Sequence, residues 1–452
     1  MTMRSMLSSC GICANLIALC LLFFLSGCTA PARPVYTASE AGRAQIVGFA
    51  NIRAHLDDPR PPESVHASWR PVIGKQKPSM LAISGGGAGG AFSVGILSAW
   101  SERGSRPQFE VVTGVSTGAL IAPFAFLGPA YDARLRRLYL SNEARSLVDI
   151  DWKGLGVLSA SLLQGDALRK MVEDNITDEI LHEIAREHQA GRRLLVMTTN
   201  LDTQRAVVWN IGAIANSDRE EALALVRQIL IASASVPGIF PPVSIGAVVD
   251  GRQIRELHSD GGSSSQFLTL PEHLFVAPSH ASEENLHIYV IINNALIPEF
   301  SLSPERALPI MARAYAIPLK SQTKQGLIAL YNYGLRSALD LNIASIDEQV
   351  PYSITDPLNG AYMRTVYDIG YRNTIDGSVW SQQPKFPGSQ RHQADRESLH
   401  SYLDVAGNLS WVGARPRLVQ CRRARDQQFT SFQELDCLRD KSEQPGTHIF
   451  IA

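Results

Sequence analysis

The chain reads as an α/β protein built on a mainly parallel sheet, with helices against it. Three observations predict this. Met80–Ser84 is a short apolar run that leads through a glycine loop, Gly85–Gly90, into a helical pattern. Phe109–Val115 is a second apolar run that leads through Gly114–Gly118 into another. Apolar runs and helical patterns then keep alternating along the chain, as strand–helix–strand units do.

The first helix is expected at Ala91–Arg103, where Phe92, Ile96, Leu97 and Trp100 recur at helical spacing. The second follows at Thr117–Leu127. Later strands are expected at Leu194–Thr199, Val207–Ile211 and His287–Ile292. Helices are expected around Arg219–Ala232 and Gly326–Leu339.

The ends of the chain have a different texture. Arg4 precedes an apolar run, Ile12–Leu25, broken only by Asn15 and followed by Ser26, Gly27 and Cys28. A positive start, a short apolar run and small residues form the pattern of an export signal. Counted from Met6, the run also reaches the length of an uncleaved anchor. Residues 28–77 are rich in proline and polar residues and read as a tether. Residues 78–385 form the expected main domain, and 386–452 a polar, solvated tail. The arginines at 415, 417, 422, 423 and 425 offer a second reading of that tail, a basic patch against anionic lipid heads.

Composition narrows the function classes. Of 452 residues, 45% are hydrophobic and 19% charged, enough for a sizeable core. Lys plus Arg (42) balances Asp plus Glu (43), so no broad positive field exists for nucleic acid. Four of the six cysteines lie within the first 28 residues; the others are Cys421 and Cys437, whose pairing the spacing leaves open. The centre of the chain therefore has neither a disulfide framework nor a thiolate metal site. With no calcium-loop or zinc-ligand pattern either, no metal or cofactor is expected.

Three glycine-bearing motifs carry the chemistry. Gly114-Val115-Ser116-Thr117-Gly118 falls where a strand turns into a helix. Small neighbours there allow a sharp, strained turn that presents a serine hydroxyl at a helix start. A plain glycine turn with a capping serine would share the pattern. Gly85-Gly86-Gly87-Ala88-Gly89-Gly90 lets backbone N–H groups converge on an anion without Cβ obstruction. It also matches the dinucleotide fingerprint, but that fold wants an acid at the end of the next strand, and Glu110 stands at its beginning. An oxyanion hole serving Ser116 fits better. The third motif is Ser259-Asp260-Gly261-Gly262, a carboxylate in a tight turn able to approach another loop, or simply a β-turn Asp.

In this order and spacing the three motifs resemble those of the patatin-like phospholipase family. The segment Ala232–Val243 resembles the one preceding that family's Asp-Gly-Gly turn, and Tyr362–Tyr371 resembles its closing helix. The resemblance covers about residues 80–380. It implies a three-layer fold and a serine acyl hydrolase that uses a Ser–Asp dyad. It also implies Ser116 as nucleophile, Asp260 as base, and oxyanion donors from Gly85, Gly86, Gly87 and Ala88. Gly90, Gly114, Gly118, Gly261 and Gly262 are then the motif glycines. The family commonly carries Arg or Lys where this chain has Gly89, which leaves head-group preference open. Leu25-Ser26-Gly27-Cys28 resembles the lipobox of bacterial lipoproteins. That implies a signal peptide over residues 1–27, a diacylglycerol on Cys28, and a place on a membrane of the bacterial cell envelope. Thr29 points to the outer one. Membrane lipids are then both substrate and anchor.

Two other readings differ in class. An α/β-hydrolase triad would use Ser116, Asp260 and one of His273, His280 or His287. Of these, His287 reads as a satisfied core residue of an apolar strand, and His258 reads as structural. The other reading is a non-catalytic lipid-binding lipoprotein on a hydrolase fold. In the dyad reading an ordinary carboxylate is a weaker base than imidazole near neutral pH, which shifts weight to the oxyanion hole.

Overall fold

A computed structural model describes residues 33–58, 78–141, 165–272, 286–300, 305–337, 339–352 and 358–386, with a few isolated residues between them. The chain divides into two units, residues 1–390 and 391–452, and the second lies outside the described residues. So do Cys28, the basic stretch of the tail, Cys421, Cys437, His273 and His280.

In chain order the described elements begin with α1 (Ala38–Arg43), β1 (Gln45–Ile46), β2 (Arg53–His55) and β3 (Ser79–Ile83). There follow α2 (Gly90–Glu102), β4 (Val111–Val115), α3 (Thr117–Leu127) and α4 (Asp132–Leu140). Next come α5 (Asp166–Asn175), α6 (Asp178–Gln189), β5 (Arg193–Asn200), β6 (Arg205–Asn210), α7 (Ile211–Ala215) and α8 (Ala222–Ser233). The last are β7 (Val243–Val249), β8 (Arg252–Asp260), β9 (His287–Ala295), α9 (Ala307–Ser337), β10 (Asp340–Ile346) and α10 (Gly360–Ile375).

The strands form one sheet in the order β1-β7-β8-β5-β4-β3-β9-β10, with β6 also on β5 and β2 on β6. Its core, β5-β4-β3-β9-β10, is parallel throughout. The remaining pairings are antiparallel and extend the β5 side. Side-chain alternation along the core strands divides the interior in two. Leu81, Ile83, Val112 and Ile291 point to the face packed with α2, α3, α8 and α10. Ala82, Ile288, Val290, Ile292, Leu341 and Ile343 point to the other face, where Leu327 and Leu330 of α9 cover them. Helix, sheet and helix make the expected three layers.

One expectation changes. Residues 38–55 are not tether: β1 pairs with β7 and β2 with β6. Arg53 is drawn in because its guanidinium reaches both carboxylate oxygens of Glu256, at 2.5 and 2.9 Å. The polar stretch before Asp260 is a strand, β8, paired with β7 from Arg252 to His258 and with β5 from His258 to Asp260. Burial of Ile254, Glu256 and His258 on one side explains how so polar a run stays extended.

Candidate active site

Strand register brings the site together. Ser116 follows Val115, which stands opposite Met197 of β5; the next β5 residue, Thr198, stands opposite Asp260 on β8. The ends of β4 and β8 are therefore level, with only β5 between them. The glycine loop follows β3 on the other side of β4.

Ser116 has φ 56° and ψ −124°, a strained conformation for a residue with a side chain. Packing holds it there. Its N–H donates to Ser233 Oγ at 3.1 Å, and the Ser233 hydroxyl donates to the Met197 carbonyl at 2.7 Å. A Cβ on Gly114 would fall 2.4 Å from the Gly118 carbonyl oxygen, and one on Gly118 2.2 Å from that of Ile83. Only glycine lets the turn close so tightly. Ser116 stands at the N-cap of α3 yet makes no capping bond. Its hydroxyl donates to Asp260 Oδ2 at 2.5 Å instead, which removes the capping-serine reading. Ser116 as a whole is 7% exposed and lines a cavity.

Asp260 uses both oxygens. Oδ2 takes the serine and Oδ1 accepts the Gly262 N–H at 2.6 Å. The following glycines leave room for this. A Cβ on Gly261 would lie 2.4 Å from the Met197 carbonyl oxygen, and one on Gly262 2.9 Å from Asp260 Oδ1. Burial raises the Asp260 carboxyl to about 7, against the pull of its bonds from Ser116 and Gly262. Loss of solvation disfavours the charged form. Burial thus lifts this carboxyl well above the ordinary carboxylate range, toward that of imidazole.

The glycine loop is clamped from below by a residue that no motif pointed to. Asn293, buried at the end of β9, donates from Nδ2 to the Ser84 carbonyl at 2.8 Å and accepts the Ser93 hydroxyl at 2.6 Å. Its backbone N–H donates to Ser84 Oγ at 2.8 Å. Gly86 has φ 151°, and a Cβ there would strike Asn293 Cβ at 2.7 Å. At Gly89 a Cβ would sit 1.9 Å from the Asn293 carbonyl oxygen, so this backbone admits no Arg or Lys at that position. Gly90 is held free of a side chain by Thr117 Oγ1, 2.5 Å from where its Cβ would stand.

Of the four expected oxyanion donors, Gly85 does not fit. Its N–H is already bonded to the Gln266 carbonyl at 2.9 Å. The N–H groups of Gly86, Gly87 and Ala88 have no acceptor among the described residues. Gly87 lines the same cavity as Ser116. That cavity encloses about 130 Å³, and its walls are apolar, with Leu120, Phe124, Met171, Val172, Leu230 and Phe240 among them.

The histidines are placed elsewhere. His258 is fully buried between Thr198 Oγ1 (3.0 Å) and Glu256 Oε2 (3.1 Å). Burial holds its imidazole below the usual range. Burial would raise Glu256, yet its bonds from His258 and Arg53 bring it down to about 2. His287 is not a core residue: it starts β9, partly exposed, with Nδ1 2.6 Å from Asp340 Oδ2. That is the edge of the parallel strands opposite Ser116. No histidine among the described residues bonds to Ser116 or Asp260. Glu110, immediately before β4, accepts the Ser79 N–H at 2.6 Å and the Ser79 hydroxyl at 2.9 Å. The described residues contain no cluster fit to hold a metal ion.

A strained serine on a strand–helix turn, a buried aspartate against it and a clamped glycine loop define a serine-hydrolase-like site on a three-layer α/β fold. Residues 81–272 match the family model of patatin-like phospholipases, and this span contains all three motifs. A patatin-like phospholipase domain is thus found in this chain. The chain is 23% identical over 251 residues to a cGAMP-activated phospholipase of Escherichia coli (strain TW11681), a match covering 52% of this chain and 66% of that protein. It is 25% identical over 195 residues to the uncharacterized protein R571 of Acanthamoeba polyphaga mimivirus, covering 41% and 59%. The chain thus spans less than two thirds of the length of these curated relatives. Among solved structures it overlaps VipD from Legionella pneumophila with a TM-score of 0.35 at 12% identity, over 74% of this chain and 80% of that one. The type III effector ExoU overlaps with a TM-score of 0.24 at 12% identity, over 66% and 54%.

Proposed function

We propose that the chain is a lipid acyl hydrolase of the phospholipase or lysophospholipase type, acting through an acyl-serine. The observation that carries this is the 2.5 Å bond from Ser116 Oγ to the buried Asp260 carboxylate, beside an apolar cavity that suits an acyl chain. Asp260 accepts the Ser116 proton as Oγ attacks the ester carbonyl. The negative charge that develops on the carbonyl oxygen falls to the N–H groups of Gly86, Gly87 and Ala88. As the tetrahedral species collapses, the proton on Asp260 passes to the departing alcohol or lysolipid, and an acyl-Ser116 ester remains. Water then gives a proton to Asp260 and attacks that ester. The fatty acid leaves and the proton returns to Oγ.

The experiment is hydrolysis of a p-nitrophenyl ester and of mixed phospholipid vesicles, alongside labelling by a serine-directed phosphonate. Ser116→Ala should abolish both hydrolyses and the label while the fold persists. A label that persists on another serine would assign the chemistry elsewhere. The Cys28 anchor belongs to the same proposal and rests on the lipobox resemblance. Acyl mass on Cys28 at the mature N-terminus would support it, and an intact, unmodified leader would refute it.

A further inference from the structure

Helix α9 is 31 residues long and contains Arg313, Lys320, Lys324 and Arg336 but no Asp or Glu, in a chain whose formal net charge is −1. Its inner side is buried only in its second half, through Thr323, Leu327, Leu330 and Tyr333. Its first half buries no side chain among the described ones. Its outward side is apolar nonetheless. Ile310, Ile317, Ile328 and Leu335 are exposed, at spacings of 7, 11 and 7 residues, close to two, three and two helical turns. Met311 is 66% exposed beside them, and Phe300 and Leu302, just before the helix, are 91% and 83% exposed.

The first half of α9 stands at the edge of the sheet that holds the Ser116–Asp260 pair. The Tyr315 hydroxyl meets Ser263 Oγ at 3.1 Å, three residues past Asp260, and Gln322 Nε2 donates to the Ser264 carbonyl. Glu299, an acid close to this surface, is tied by Lys320 at its carboxylate and by Arg313 at its backbone carbonyl.

A row of exposed large apolar residues on a helix with only positive charge is the pattern of a helix lying in a lipid interface. Apolar side chains enter the acyl boundary while Lys and Arg meet anionic heads. No described helix is long and apolar enough to cross a membrane. We infer that the outward face of α9, with Phe300 and Leu302, docks on an anionic phospholipid bilayer. The docking stands on exposure and charge. That it brings the catalytic edge to its substrate rests on the function proposed above.

The test uses the full chain carrying Cys28→Ser, so that no acyl anchor masks the effect. Co-sedimentation compares vesicles of phosphatidylcholine with vesicles of equimolar phosphatidylcholine and phosphatidylglycerol. The chain should prefer the anionic vesicles and lose that preference as salt rises. The triple variant Phe300→Ser/Leu302→Ser/Ile317→Ser should bind them about tenfold or more weakly, from lost apolar insertion. Its hydrolysis of a soluble p-nitrophenyl ester should stay unchanged. Equal binding by variant and parent, or equal binding to both vesicle types, would overturn the docking. Salt-sensitive binding lost in the triple variant, with no ester hydrolysis even by the parent, would uphold the docking and sink the function.

Discussion

At the scale of single residues, the proposed reaction turns on how burial sets the Asp260 carboxyl. A folded-state value of about 7 lies well above the ordinary 3.8. Between those values the folded chain holds a proton that the unfolded chain has released, so stability from this group falls as pH rises. Above about 7 the cost is complete, because the folded chain then carries a desolvated carboxylate. Asp260→Asn removes the titration, so its melting temperature relative to the parent should climb between pH 5 and pH 8. A pH-independent difference in melting temperature would show that Asp260 is not held protonated by burial. The parent's kcat should rise through about pH 7, as the base form appears. Ser116 and Asp260 were legible in the sequence because their glycines mark places where backbones meet within van der Waals distance. Asn293 was not legible. It makes its bonds to Ser84 and Ser93 from a strand end 200 residues away, and a lone Asn carries no local pattern.

At the scale of elements, the strand–loop–helix unit of β3 and α2 is held open by that clamp. Asn293→Ala would leave the Ser84 carbonyl and the Ser93 hydroxyl without their partner in a buried place. Each such loss costs on the order of 1–3 kcal/mol. Because the loop aims the proposed oxyanion donors, kcat should fall by roughly tenfold to a hundredfold with little change in KM. A variant that loses stability but keeps kcat would make Asn293 structural alone. Elements with strong apolar periodicity were read from the sequence to within a few residues, as α3 and β5 show. The β7–β8 hairpin was missed although its turn, Asp250-Gly251 with φ 49° and 77°, is a common hairpin signal. The polar exterior of β8 hid the alternation beneath it. Helix α9 starts at Ala307, far upstream of the Gly326 start that the sequence pattern predicts, because its outward apolar residues blur the contrast between faces that marks a helix.

At the scale of the molecule, the parallel core β5-β4-β3-β9-β10 was legible as a class and its order was not. Strand order is set by long-range pairing, such as Ser79–Ile83 between β4 and β9, which local sequence does not encode. The antiparallel extension matters most for the proposed function, since it delivers Asp260 on β8 to the level of Ser116. It also draws Arg53 into the sheet beside Glu256 and His258, which fixes that histidine in a structural role. In the proposed reaction Asp260, and no histidine, takes the serine proton. This is tested most directly by kcat on one soluble ester for Asp260→Asn, His258→Gln, His273→Ala, His280→Ala and His287→Ala, each checked for folding by circular dichroism. Asp260→Asn should lose about a thousandfold or more, because an amide cannot accept the proton, while each folded histidine variant stays within about tenfold of the parent. A folded histidine variant as inactive as Ser116→Ala would contradict the claim and put a triad in its place.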